Sequence, residues 1–174
     1  SSLVGSEMCI RDSTNGISGT VNINGAKNSC LPLMAASILF KDKVILKNVP
    51  LVKDVITMKN LLISLGSKVE ILKTNKMIIK NSKPHKRRVP YKLVSTMRAG
   101  VLTMGSLLGR YQKKKIYVAK GGGCSLGIRD INYHLSGFES LAAEHRLEKG
   151  YVRIYSKNGL VGGSYKFPKV SVTG

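Results

Sequence analysis

One order of elements is written twice along this chain, and that repetition limits its possible folds more than any other feature. Alternation over Ile17–Ile23 predicts a strand. Leu31–Phe40 is apolar and Ala-rich, entered through Asn28-Ser29 with Pro32 in the first turn, and predicts a buried helix. Lys43–Leu46 predicts a short strand closed by the Asn48-Val49-Pro50 turn. A helix capped by Asp54 runs to Leu65, where Gly66 ends it. Val69–Leu72 and Lys76–Lys80 predict a strand pair. The second pass predicts a helix over Ser95–Leu108, a strand over Lys115–Val118 and a helix over Ile131–Ala142. Strands over Arg146–Glu148 and Tyr151–Tyr155 close it. The endings also correspond, with residues 61–72 (LLISLGSKVEIL) similar to 138–149 (FESLAAEHRLEK). The units are about 70–75 residues long, above the common solenoid periods. Residues 159–174 open a third. Strand–helix–strand links predict parallel neighbouring strands with right-handed crossovers. The expected class is therefore α/β, a domain of repeated βαβαββ units with the last one incomplete.

Composition narrows the partners. Hydrophobic residues make up 43% of the 174, enough for a core. Net charge is +20, and 15 Lys or Arg with no Asp or Glu fall between Ile71 and Arg129. Such a balance suits anionic partners: nucleic acid, an anionic membrane or phosphorylated small molecules. The densest run, residues 83–92 (KPHKRRVPYK), reads as a solvated loop. Only Tyr91 accompanies it, so nucleic acid is not the expected partner. No apolar stretch is long enough for a transmembrane helix. Three widely spaced Cys (Cys9, Cys30, Cys124) form neither a disulfide framework nor a zinc site, and point to a reducing, cytoplasmic compartment. No metal or cofactor is expected. Residues 1–13 show no signal-peptide pattern and read as a non-native prefix.

Three constellations can carry chemistry. Gly25-Ala26-Lys27-Asn28 stands between a strand and a helix, where a small-residue turn, a helix N-terminus and a lysine suit a phosphate or carboxylate. Equally, it reads as a plain helix entry. Gly121-Gly122-Gly123-Cys124-Ser125-Leu126-Gly127-Ile128-Arg129 surrounds one thiol with glycines and cations, which lower a thiol pKa and suit a general acid or nucleophile. Cys30, inside the apolar helix, reads as core. Lys53, Arg98 and Arg129 are cations at helix entries, in an apolar segment and beside the Cys loop. His85, His134 and His145 read as structural or surface residues.

These residues, in this order, resemble the enolpyruvyl transferase family, in its branch acting on UDP-N-acetylglucosamine. The carriers are GAKN (25–28), NVPLVKDV (48–55), LVSTMRAG (93–100), GGCSLGIR (122–129), HLSGFESLAA (134–143), LEKGYV (147–152) and VSVTG (170–174). The resemblance covers Ile17 to Gly174. It implies two inside-out α/β barrel domains of three units each, with the active site between them. Residues 14–26 then lie near the domain crossover, residues 27–174 are the first domain, and the second domain is missing. The chain alone is expected to show no turnover.

The implied reaction moves enolpyruvyl from phosphoenolpyruvate to the 3′-hydroxyl of UDP-N-acetylglucosamine and releases phosphate, opening peptidoglycan precursor synthesis. The resemblance makes Cys124 the proton donor to the phosphoenolpyruvate methylene carbon and the family's fosfomycin target. It assigns Lys27 and Asn28 to phosphoenolpyruvate, Lys53 to a further basic position, and Arg98 and Arg129 to substrate. Asp130, Ile131, Asn132 and Tyr133 match one nucleotide-contacting stretch. Lys169, Val170, Ser171 and Val172 match the other. The chain departs from the family pattern at Lys120-Gly121, where Pro is usual before Gly-Gly-Cys, and at Leu102, Asp130 and Asn132. A basic nucleic-acid-binding α/β module and an inactive nucleotide-sugar-binding paralogue are the alternatives.

Overall fold

The computed structural model describes residues 18–82, 85–95, 97–119 and 131–168, with only the backbone of Arg98. The first unit holds α1 (Lys27–Ala36), a 3₁₀ turn (Ser37–Leu39), β1 (Lys43–Leu46), α2 (Lys53–Leu65), β2 (Lys68–Leu72) and β3 (Lys76–Lys80). The second holds α3 (Tyr91–Val94), a 3₁₀ turn (Arg98–Leu102), α4 (Thr103–Arg110), β4 (Ile116–Ala119), α5 (Asn132–Glu139), β5 (Glu144–Glu148) and β6 (Tyr151–Tyr155). The two sheets have the same order, β1-β3-β2 and β4-β6-β5, with each pair antiparallel. The repeat is thus a repeat of topology.

The predicted parallel neighbours are corrected in both sheets. β1 and β2 do run the same way, but β3 inserts between them, as β6 does between β4 and β5. The reason is local. After each second helix the chain makes a tight hairpin, and a hairpin's return strand must be antiparallel. A parallel neighbour appears instead where none was expected. Arg88 bridges Tyr117 in parallel, the Val89 amide donates to the Tyr117 carbonyl at 2.8 Å, and the Tyr117 amide donates to Arg87 at 2.8 Å. Residues 87–89 thus make an isolated parallel bridge to β4, so the basic run 83–92 is only partly a solvated loop. Lys83 and Pro84 lie outside the described residues.

Two further expectations change. Residues 18–26 form no strand; Val21 and Ile23 are 82% and 83% exposed, with no ladder to hold them. Ile17 lies outside the described residues. The helix predicted over Ser95–Leu108 is broken. Met97 is extended (φ −145°, ψ 122°), and the chain folds back so that Gly100 lies against the Val94 methyls. That break buries both Val94 and Met97. Pro32 falls in the second turn of α1 rather than the first, leaving the Asn28 carbonyl without a helical donor. Asp54 lies in the first turn of α2 but makes no cap; Val52 holds the cap position.

The helix endings match between units, in a register one residue from the sequence correspondence. The Ser67 amide reaches the Leu62 carbonyl and the Ala143 amide the Phe138 carbonyl, both at 3.0 Å. Both are Schellman endings. Gly66 (φ 119°) supplies the left-handed residue in the first and Ala142 (φ 62°) in the second.

One core runs through both units. Val55, Met58, Leu61, Leu62 and Leu65 recur at helical spacing and bury one face of α2, while Leu107, Leu108, Ile116 and Ile154 extend the core into the second unit. Each such side chain contributes roughly 1.5–3 kcal/mol of burial. A polar knot also joins the units. Arg110 donates to the carbonyls of Ile38 (2.6 Å), Phe40 (2.8 Å) and Asn81 (3.3 Å). The Asn81 amide donates to Ser37 and Phe40 carbonyls at 2.7 and 3.2 Å. Ser67 donates to Asn81 Oδ1 at 2.7 Å. His85, 5% exposed, completes the knot between Ser67, Asn81 and Tyr111. As expected, His85 is structural and Cys30 is core.

Candidate functional site

The candidate site is built on helix starts. Lys27 is the first residue of α1, Lys53 the first of α2 and Asn132 the first of α5. In the repeat, α2 and α5 are equivalent helices, each following the first strand of its sheet. Helix starts leave amides without intrahelical acceptors and carry a positive end charge, both of which favour anions. In α1 the first turn begins with the amides of Ser29 and Cys30 donating to the Ala26 carbonyl at 3.3 and 3.0 Å. The amides of Lys27 and Asn28 have no acceptor among the described residues.

A cavity of about 430 Å³ opens beside this start, lined by Gly25, Ala26, Ser29 and Cys30 from one side and Lys47–Val49 from the other. Gly25 is needed there because a Cβ would overlap the Asn48 carbonyl oxygen. Asn48 itself has φ 54°, and its side-chain amide donates to the Ile23 carbonyl at 3.3 Å, tying the incoming segment to the turn. The Cys30 thiol borders the cavity, but burial pushes its pKa up and keeps it protonated.

The fold brings Lys27 to the start of α2. Its ammonium lies 2.9 Å from Asp54 Oδ2, with both side chains partly exposed. Asp54 joins this arrangement although its sequence context predicts only a helix cap. Its signal was the Lys-Asp pair opening α2. Lys53 and Asn28 are exposed and make no side-chain hydrogen bond or ion pair among the described residues. In the second unit, Ile131 caps α5 and packs on the core, Asn132 opens the helix, and Tyr133 meets Phe167 edge to face at 6.3 Å. Arg98 starts a 3₁₀ turn. Cys124, Arg129, Asp130, Lys169, Val170, Ser171 and Val172 lie outside the described residues. The Cys-bearing stretch 120–131 joins β4 to α5, the connection that residues 47–52 make in the first unit. Among the described residues no cluster of His, Cys, Asp and Glu could hold a metal ion, and no helix is long and apolar enough to cross a membrane.

Comparison with known proteins bears on this arrangement. Residues 12–174 match the family model described as EPSP synthase (3-phosphoshikimate 1-carboxyvinyltransferase). The chain is 44% identical over 156 residues to a UDP-N-acetylglucosamine 1-carboxyvinyltransferase of Pelagibacter ubique, covering 90% of this chain and 37% of that protein. It is 40% identical over 158 residues to the like-named protein of Helicobacter pylori (strain Shi470), covering 91% and 37%. The chain therefore spans just over a third of these relatives' length. In structure it is similar to the enolpyruvyl transferase NikO from Streptomyces tendae, with a TM-score of 0.67, 16% identity, and coverage of 82% of this chain and 31% of that one. That likeness shows the fold.

Proposed function

The chain belongs to the EPSP synthase (3-phosphoshikimate 1-carboxyvinyltransferase) family, and within it we propose that it transfers enolpyruvyl from phosphoenolpyruvate to the 3′-hydroxyl of UDP-N-acetylglucosamine, releasing phosphate. The acceptor rests on the relatives, which share 40–44% identity with nearly all of this chain. The observation that carries the reading in the fold is the α1 start. The amides of Lys27 and Asn28, unpaired among the described residues, open α1 beside a cavity lined by Gly25, Ala26 and Lys47 and shaped by the Gly25–Asn48 contact, while the Lys27 ammonium pairs with Asp54 at the start of α2, next to Lys53.

Both substrates are anionic, and fixed donors at the place where charge develops supply much of the stabilisation in such transfers. Lys27 and Asn28 hold phosphoenolpyruvate at the α1 start. Lys53 adds charge from the next helix. Arg98 and Arg129 bind substrate oxygens. Residues 130–133 and 169–172 receive the nucleotide, with Tyr133 already braced on Phe167. Cys124 delivers a proton to the methylene carbon as the sugar 3′-oxygen adds to the neighbouring carbon and gives up its own proton to a base. Elimination then removes a proton from the new methyl group as the C–O bond to phosphate breaks, which restores the double bond. Residues 27–174 act as the first of two domains, the enzyme works in the cytoplasm, and the product enters peptidoglycan synthesis.

The test measures phosphate release from phosphoenolpyruvate by the protein completed to its relatives' length. UDP-N-acetylglucosamine is expected to support release and shikimate 3-phosphate is not. Release with shikimate 3-phosphate, or with neither acceptor, overturns the reading. A Cys124→Ala change that leaves the rate intact removes Cys124 from the chemistry.

A further inference from the structure

The sequence argued against nucleic acid because the basic run 83–92 has only Tyr91 for aromatic company. The fold supplies that company from elsewhere. Residues 87–89 lie along β4, and β6 lies on its other side. Tyr117 and Tyr151 therefore come to Arg88, whose guanidinium carbon sits 4.2 Å from the Tyr151 ring centroid and 5.7 Å from that of Tyr117. The turn between α4 and β4 brings Lys113, Lys114 and Lys115 to the same place. Together with Arg87, Arg88 and Tyr117 they line an open cleft of about 570 Å³. It shares no lining residue with the α1 cavity.

None of the five cations has an ion-pair partner among the described residues. Five unneutralised charges around one concavity exceed what a single phosphate needs. They fit a chain of phosphates. The guanidinium backed by tyrosine rings offers a flat face, and unstacked bases pack on such planes. A membrane surface fits less well. Insertion calls for exposed apolar anchors, and between residues 73 and 132 Tyr91 is the one large exposed hydrophobic among the described residues.

We infer that this cleft binds single-stranded nucleic acid, with the lysines and Arg87 on the phosphates and Arg88 under a base. The inference stands apart from the proposed transferase chemistry and survives its failure.

The test is fluorescence anisotropy of the full chain with a labelled uridine-rich single strand about 12 nucleotides long, read between about 50 and 200 mM salt. Changing Lys113, Lys114 and Lys115 to Gln together is expected to weaken binding about tenfold or more and to reduce the salt slope by roughly 2. A charge-matched control changes Lys43, Lys68 and Lys80 to Gln. These form one exposed row across the first sheet, and their loss is expected to leave affinity within about twofold. Arg88→Lys keeps the charge and removes the plane, and is expected to cost about fivefold or more. Equal losses from both lysine sets, an unchanged Arg88→Lys variant, or competition by UDP-N-acetylglucosamine would each overturn the inference. So would anionic phosphatidylglycerol vesicles capturing the chain while the RNA does not bind. Melting curves of each variant exclude misfolding as the cause.

Discussion

Acidification is expected to loosen the joint between the two units through His85. In its neutral form the ring satisfies every neighbour. Tyr111 accepts from the His85 amide at 2.7 Å and donates to Nδ1 at 3.0 Å. The Nε2 proton faces Ser67 Oγ at 3.0 Å and Asn81 Oδ1 at 3.1 Å. A second ring proton would displace the Tyr111 hydroxyl proton and bring a buried charge near Arg110. Burial first, and the Arg110 charge second, lower the pKa from 6.5 to about 4. The folded value lies below the unfolded one, so the contribution is fully present above pH 6.5. It declines as pH falls from there to about 4, where the folded ring also protonates. At about 1.4 kcal/mol per unit, that window is worth about 3 kcal/mol, a large share of a domain's stability. Urea denaturation at pH 7, 5.5 and 4 measures it, with His85→Gln as the comparison. The variant is expected to start lower at pH 7, through lost hydrogen bonds, and to fall less steeply toward pH 4. Parallel pH dependences in the two proteins would refute the reasoning.

Other substitutions probe the same physics. Arg110→Lys leaves the three carbonyls of Ile38, Phe40 and Asn81 short of a planar donor and is expected to cost about 2–4 kcal/mol in the same urea assay. Ala142→Gly relieves a left-handed alanine at φ 62° and is expected to stabilise by about 1 kcal/mol, read as a raised melting temperature. Gly25→Ala drives a methyl into the Asn48 carbonyl, and is expected to weaken phosphate binding at the α1 start, measured by calorimetry. Asp54→Asn removes an exposed ion-pair partner of Lys27, so stability should move by less than about 1 kcal/mol while phosphate affinity rises.

Legibility in the sequence followed how local each signal was. β1 and α2 carry their own periodicity and punctuation, and Lys43–Leu46 and the end of α2 at Leu65 stand where alternation and Gly66 put them. Ser95–Leu108 failed because its apolar residues satisfy a helix face and a folded-back segment equally well. Only the contact of Gly100 with Val94 decides between them. Residues 87–89 failed for the opposite reason. Their charges read as solvated, yet a parallel bridge ties them to the backbone of Tyr117, a partner almost thirty positions away. Ile17–Ile23 shows the reverse case, alternation over residues 18–23 without any ladder to join.

The candidate site divides along the same line. The position of Lys27, Asn28 and Lys53 at helix starts was legible because a helix start announces itself locally. Asp54 was not, because its partner lies 27 positions back and the pair forms only when α1 and α2 pack together. The repeat explains why those starts recur. Each unit sends its chain from the first strand of its sheet into a helix that opens at the surface, at Lys53 in one unit and at Asn132 in the other. The first connection is itself anchored, with Val49 buried in the core and its amide donating to the Asn75 carbonyl at 2.8 Å, and Ile131 packs on the core at the end of the second. In the first unit the connection is the short turn at Asn48, which shapes the cavity beside α1; in the second it holds the glycine-rich sequence bearing Cys124. A duplicated scaffold thus presents two helix starts at equivalent places in the topology, entered differently: Val52 is extended (ψ 159°) before α2, whereas Ile131 is turned (ψ 3°) before α5.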